Sequence, residues 1–68
     1  MEYVAIVEQG ETSVGANVPD LPGCVAVAES RDEAMELIRE AIALHVESLR
    51  DNGEPVPIPR SVFETIAV

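Results

Sequence analysis

One amphipathic helix, predicted between Ser30 and Gly53, is the feature that most limits how this chain can fold. Ser30 is followed three residues later by Glu33, which is the spacing of a capping box. In that motif the serine hydroxyl accepts a hydrogen bond from the Glu33 amide, and the carboxylate reaches back to the serine amide. Asn52 and Gly53 supply a C-terminal stop. We therefore predict a helix over about residues 31–51.

The apolar residues of this helix recur with a period of 3.6, which predicts one stripe that packs on a sheet. The stripe comprises Ala34, Leu37, Ile38, Ala41, Ile42, His45 and Leu49. Its acidic residues lie largely outside the stripe, and Asp32, Glu36 and Glu40 are like-charged neighbours four residues apart. Each such pair costs a few tenths of a kcal/mol. A solvated helix face is the simple explanation, and a cationic partner that relieves the repulsion is the functional one.

Strand patterns flank the helix on both sides. An all-apolar first run predicts a central strand buried on both faces, and alternation in the second predicts a hairpin with one wet face. A proline-rich connector after the helix leads to a final β-branched segment. The expected fold class is α+β, in the order β-β-β-α-β, with a three- to four-stranded, mainly antiparallel sheet and one helix on one face. The predicted strands cover residues 3–7, 12–18, 24–28 and 61–68 of a single domain spanning 1–68.

Between the second and third strands lies the sequence Pro19-Asp20-Leu21-Pro22-Gly23. The prolines remove backbone donors and fix φ, while the glycine permits a positive φ, so the chain must leave the ladder and turn. A turn that starts the third strand is the simpler interpretation. A binding loop is the alternative.

A single helix covers only one face of a sheet, so the other face meets water or another molecule. At 68 residues the core alone stabilises the fold marginally. One cysteine excludes an internal disulfide, and one cysteine with one histidine falls short of a zinc site. We therefore expect a homo-oligomer, which buries Tyr3, Ala5, Val7 and Phe63.

Catalytic interpretations of the residues are weaker than structural ones. Cys24 lies in a predicted strand, where a thiol behaves as a small hydrophobic group, and His45 on the apolar stripe favours a packed or interface histidine. A two-metal nuclease needs inward-facing carboxylates, whereas these acids lie on the exposed side of a helix. The chain has no lysine, which excludes Schiff-base and P-loop chemistry. We expect no enzymatic activity, no metal and no cofactor.

The net charge of the chain indicates which class of molecule it binds. Four arginines oppose thirteen acidic residues, for a net charge of −9, so direct binding to nucleic acid is not expected and a basic protein is the natural complement. No apolar run is long enough to span a bilayer, and the opening residues lack the cations of a signal peptide. We expect a cytoplasmic protein without a membrane partner.

Two motifs carry a resemblance to a known family. The turn Pro19-Asp20-Leu21-Pro22-Gly23-Cys24 precedes a strand and the capped helix, and the run Gly53-Glu54-Pro55-Val56-Pro57-Ile58-Pro59 follows that helix. Together with the opening strand they resemble the N-terminal domain of the HicB family of type II antitoxins, over nearly the whole chain. The resemblance implies a partial ribonuclease H-like fold that has lost its catalytic acids. It also implies binding to a small basic toxin, of the HicA type, that cleaves mRNA.

Many HicB proteins continue into a module that binds operator DNA, and this chain resembles the short form without it. The leading hypothesis is an antitoxin domain that neutralises its toxin by occlusion. The residues expected to bind the partner are Glu29, Asp32, Glu33, Glu36 and Glu40, with Asp20, Leu21, Pro22 and Gly23 as an edge contact. The alternatives are a stand-alone homo-oligomer with a non-toxin partner and, less favoured, a vestigial nuclease.

Overall fold

The computed structural model describes all residues, 1–68, and contains three strands followed by one helix. The elements are β1 (Ile6–Gln9), β2 (Val14–Asn17), β3 (Val25–Ala28) and α1 (Arg31–Asp51). The strands form one antiparallel sheet in the order β1-β2-β3, and α1 lies across one face of it. The α+β class and the three antiparallel strands before a helix are thus confirmed.

The first strand is at an edge, so the prediction of a central first strand is wrong. The turn is closed by the Gly10 amide, which donates to the Ser13 carbonyl at 2.8 Å, and the ladder begins next to it with Gln9 opposite Val14. Because β2 ends at Asn17 and the chain then turns away at Pro19, the residues before Ile6 have no strand opposite them. The first strand therefore lies closer to the β1–β2 turn than the predicted residues 3–7, and β2 is the central strand.

The predicted fourth strand is also wrong, because residues 61–68 form no strand. Val62, Phe63 and Ile66 are at least 80% exposed. The β-branched composition of this segment favours an extended backbone, but a strand also needs a hydrogen-bonding neighbour and a covered apolar face. Val62 and Phe63 are adjacent and point to opposite sides of an extended chain, so one surface cannot cover both.

The helix has the predicted boundaries and the predicted Ser30 cap, but only one of the two hydrogen bonds of the capping box is formed, because the Ser30 amide does not bond to the Glu33 carboxylate. The Ser30 hydroxyl accepts from the Glu33 amide at 3.2 Å, and Gly53 adopts a φ of 67° just after the helix. The positive φ lets the Glu54 amide turn back and donate to the Leu49 carbonyl at 2.8 Å. These contacts are local in sequence, which explains why the sequence pattern locates both ends.

The core lies between α1 and the sheet, and the turn after β2 contributes to it. Ala34 and Ile38 are buried on the helix, whereas Leu37, placed on the buried stripe by its spacing, is 43% exposed. Met35 and Val46 pack against the core in its place, so the apolar stripe is rotated away from Leu37. The fully buried side chains are Val14, Ala16, Val18, Leu21, Cys24, Ala34 and Ile38.

Candidate partner-binding site

The five acids predicted to bind a partner are all exposed, and we call them the acidic face: Glu29, Asp32, Glu33, Glu36 and Glu40. Glu29 precedes the N-cap and the other four lie in the first half of α1. At 100° per residue those four fall within an arc of about 100° around the helix. The structure thus brings these four side chains to one side of the first half of α1, and Glu29 precedes that end of the helix.

The position of each acid along the helix determines whether its charge is stabilised or repelled by its surroundings. Asp32 and Glu33 lie in the first turn, where the positive end of the helix dipole stabilises a carboxylate. Glu36 and Glu40 lie beyond that turn, and each faces a like charge four residues away. A cation that docks beside Glu36 and Glu40 would therefore relieve repulsion that the isolated helix retains.

One border of the acidic face carries cations and the other does not. Arg31 and Arg39 flank a shallow groove that Met35 and Glu36 also line. Their guanidinium groups offset the negative potential on that border. The opposite border, toward Leu37, has no arginine, so no cation offsets the carboxylates there.

Asp20, which we predicted to contact a partner, instead accepts hydrogen bonds from other residues of this chain. Its carboxylate accepts from the amides of Arg60 and Ser61, at 3.0 and 2.9 Å, and from the Ser61 hydroxyl at 3.0 Å. These hydrogen bonds, from the Ser61 amide first and the Arg60 amide second, lower the pKa of the Asp20 carboxyl. We call this arrangement the Asp20 clamp, and it fixes the start of the C-terminal segment.

The rest of the turn after β2 has a mainly structural role. Leu21 is fully buried in the core, so its side chain is not available to a partner. The amide of Cys24 donates to the Leu21 carbonyl at 3.0 Å, and Gly23 has a φ of 84°, which favours glycine. Pro22 and Gly23 are exposed and remain available at this edge.

Three of the four residues predicted for self-association face the core instead of the open side. Tyr3, Ala5 and Val7 are half-buried and pack against the core cluster, and the Tyr3 hydroxyl donates to the Pro57 carbonyl at 2.5 Å. Phe63 is 83% exposed. On the first strand it is therefore Ile6 that lies on the open side of the sheet.

The open side of the sheet carries a different set of apolar side chains. We call it the outer sheet face, and it is lined by Ile6, Val25 and Val27 around Gly15 and Asn17. A Cβ atom added at Gly15 would meet nothing within 4 Å, so no other part of the chain covers the middle of this surface. Val25 and Val27 are 63% and 67% exposed.

The groups with catalytic potential are Cys24, just before β3, and His45, on α1. Cys24 is buried, and burial raises the pKa of its thiol, which keeps it protonated near neutral pH. His45 is half-buried on α1. No group of three or more His, Cys, Asp or Glu side chains could hold a metal ion. The helix is not apolar enough along its length to cross a bilayer.

Sequence reasoning missed the Asp20 clamp and the outer sheet face. The clamp joins residues 40 and 41 positions apart, and no local pattern reports such a contact. The outer sheet face could have been predicted from β3, where Val25 and Val27 alternate with alanines. Alternate residues of a strand lie on opposite faces of the sheet, so the two valines share one face.

The chain matches the family model described as the HicB-like antitoxin of bacterial toxin–antitoxin systems over residues 3–68. This chain belongs to that family. The structure is similar to the crystal structure of the N-terminal domain of the Burkholderia pseudomallei antitoxin HicB, with a TM-score of 0.82 and 38% identity. That match covers 91% of this chain and 74% of the Burkholderia chain.

Curated relatives of this HicB-like chain include two of different length. A UPF0150 protein of Thermoplasma acidophilum is 39% identical over 69 residues, which cover 100% of this chain and 97% of the relative. A 14.9 kDa protein of Haemophilus phage HP1 is 33% identical over 57 residues, which cover 84% of this chain but only 43% of the phage protein. The resemblance to the HicB antitoxins inferred from the residues is thus confirmed.

Proposed function

We propose that this HicB-like chain is an antitoxin domain that binds a small basic toxin of the HicA type and blocks its mRNA-cleaving surface. Membership of the HicB-like antitoxin family supports a toxin as the partner. The acidic face supports the mode of binding, since four exposed carboxylates lie on one side of the helix and a fifth precedes it, in a chain of net charge −9. A toxin that acts on RNA needs positive surface, which these carboxylates would attract and cover.

The contact in this proposal is narrower than the sequence alone predicted. Glu29, Asp32, Glu33, Glu36 and Glu40 provide the charge, and the edge contact comes from the exposed Pro22 and Gly23. Asp20 and Leu21 act indirectly, because the clamp and the core hold the turn in place. The chain acts by occlusion, in the cytoplasm, and catalyses no reaction.

The test begins with capture of the tagged chain from its native lysate at low and high salt. We expect a small basic protein to co-purify, to cleave mRNA when separated, and to lose that cleavage when the chain is added back. Recovery of a basic protein whose RNA cleavage is unaffected by the chain would contradict the proposal. Recovery of the chain alone would do the same.

Charge reversal then tests the position of the contact. The variant Glu36→Lys/Glu40→Lys should raise the concentration of chain that suppresses cleavage by about tenfold or more, because two attractive contacts become repulsive. Glu2→Lys/Glu11→Lys is the matched control, since it makes the same change in net charge at two exposed acids outside α1. Equal losses in both variants would mean that only the overall charge matters.

The outer sheet face favours a second candidate function, a stand-alone homo-oligomer with a non-toxin partner. Its exposed Ile6, Val25 and Val27 form an apolar surface that a second copy would cover. Recovery of only the chain itself at both salt concentrations supports this candidate over the first.

A further inference from the structure

Two leucines of α1 point away from the sheet. Leu37 is 43% exposed and Leu44 is 67% exposed, while the buried side of the helix is formed by Ala34 and Ile38. The two leucines are seven residues apart, which is two helical turns or about 10.5 Å along the axis. A lone exposed leucine is ordinary, but two on one line form a regular feature of the surface.

Acidic residues lie between these leucines and on either side of them along the same line. Along this line the sequence steps alternate between four and three residues, which is the spacing of the seam between two packed helices. All six side chains are exposed, and the line extends for about 27 Å. We call it the outer helix seam, and its members are Glu33, Leu37, Glu40, Leu44, Glu47 and Asp51.

Charge decides which kind of helix fits this seam. None of the four arginines of the chain lies on it. A second copy of α1 would bring Glu33, Glu40 and Glu47 against equivalent carboxylates, and like charges across a helix pair are unfavourable. A helix that carries lysine or arginine at those positions would instead be attracted.

We propose that the outer helix seam binds an amphipathic helix of a cationic partner. Apolar side chains of that helix pack against Leu37 and Leu44, and its cations lie opposite Glu33, Glu40 and Glu47. The inference deepens the proposed function and rests on it for the identity of the partner, since the toxin would present this helix. It extends the contact beyond the acidic face to Leu37, Leu44, Glu47 and Asp51.

Two synthetic peptides test the proposal with the full chain. The first is an amphipathic helix as long as α1, with leucines at heptad spacing flanked by lysine and arginine, and the second has the same composition in scrambled order. Fluorescence anisotropy at low and high salt measures both affinities. We expect the first peptide to bind about tenfold or more tightly than the scrambled one, because only it aligns apolar and cationic groups with the seam.

Variants of the chain locate the site. Leu37→Gln/Leu44→Gln should weaken binding of the first peptide by about tenfold or more, and glutamine at exposed helix positions retains helix propensity, which circular dichroism will verify. Ile58→Gln/Ile66→Gln is the control, because it also replaces two exposed branched aliphatic side chains with glutamine, at positions outside α1 and outside the outer sheet face. That control should bind the peptide as the unaltered chain does.

Four results would overturn the proposal. Equal binding of both peptides would mean that general charge attraction explains the affinity. Unchanged binding by Leu37→Gln/Leu44→Gln would mean that the peptide binds at another site. A dimer in sedimentation that Leu37→Gln/Leu44→Gln abolishes would assign the seam to a second copy. Peptide binding at the seam without suppression of a toxin would overturn only the proposed function, whereas suppression without such binding would overturn only the seam.

Discussion

At the scale of single residues, Asp20 shows how a residue that looks like a binding group is used for structure. Its three hydrogen bonds satisfy two backbone amides and one hydroxyl of the C-terminal segment. Hydrogen bonds to an ionised acceptor are stronger than neutral ones. The clamp therefore holds residues 60 and 61 against the turn after β2, although no strand follows them.

The charge of Asp20 makes this clamp sensitive to acid. Its pKa is lowered below the ordinary value of 3.8, so the stabilisation is complete above that value and is lost as the pH falls through the lower pKa of the folded state. Asp20→Asn should have a lower urea midpoint than the unaltered chain at pH 7. The difference should shrink as the pH is lowered below about 4.

Urea titrations at a series of pH values measure this effect, and Glu11→Gln is the control. Glu11 is exposed in the β1–β2 turn, so its neutralisation should leave the midpoint nearly unchanged. A difference between Asp20→Asn and the unaltered chain that stays constant with pH would mean that the carboxylate charge does not stabilise the clamp.

At the scale of elements, the helix and the strands differ in what determines them. The ends of α1 depend on contacts within a few residues, such as the Ser30 hydroxyl with the Glu33 amide. The strands depend on partners elsewhere in the chain, which is why β1 is displaced toward its turn and residues 61–68 form no strand.

The cap of α1 can be tested separately from its packing. Ser30→Ala removes the acceptor of the Glu33 amide and should lower the free energy of unfolding by about 1 kcal/mol. In a domain of this size that corresponds to a decrease in Tm of about 4–8 °C in a thermal melt. Ser48→Ala, at an exposed position near the other end of the helix, should change stability by less than about 0.5 kcal/mol. Equal losses in the two variants would show that the cap has no special role.

At the scale of the whole molecule, two thin layers give two unlike surfaces. The shortest dimension is 16 Å, and one helix covers one side of the sheet. The helix side carries the acidic face and the outer helix seam, and the sheet side carries the apolar outer sheet face. The binding to a cationic partner and the association with a second copy that we propose would therefore use opposite sides and would not compete.

Self-association should depend on the outer sheet face. We expect Val25→Ser/Val27→Ser to raise the Kd of the homo-oligomer by about tenfold or more, as measured by light scattering across a concentration series. Val62→Ser/Phe63→Ser removes two exposed apolar side chains from the C-terminal segment and should leave the Kd nearly unchanged. The reverse order of effects would assign the interface to that segment, in agreement with the sequence-based prediction for Phe63.

Patterns among neighbouring residues were enough to predict the helix, the Ser30 cap, the stop at Gly53, the three strands before the helix and the HicB-like family. These follow from local hydrogen bonds, from periodicity and from motifs, which are all written in neighbouring residues. The exposure of the acidic face follows from the same periodicity, since its acids lie outside the apolar stripe.

Long-range packing, in contrast, sets the strand order, the structural roles of Asp20 and Leu21, and the sides on which Tyr3 and Leu37 lie. Each depends on which distant segment packs against the residue. A pattern of period two or 3.6 identifies the two sides of a strand or the apolar stripe of a helix, but it does not say which side the rest of the chain covers. That choice is made by the core as a whole, through the burial of Leu21, Ile38 and Val14 together.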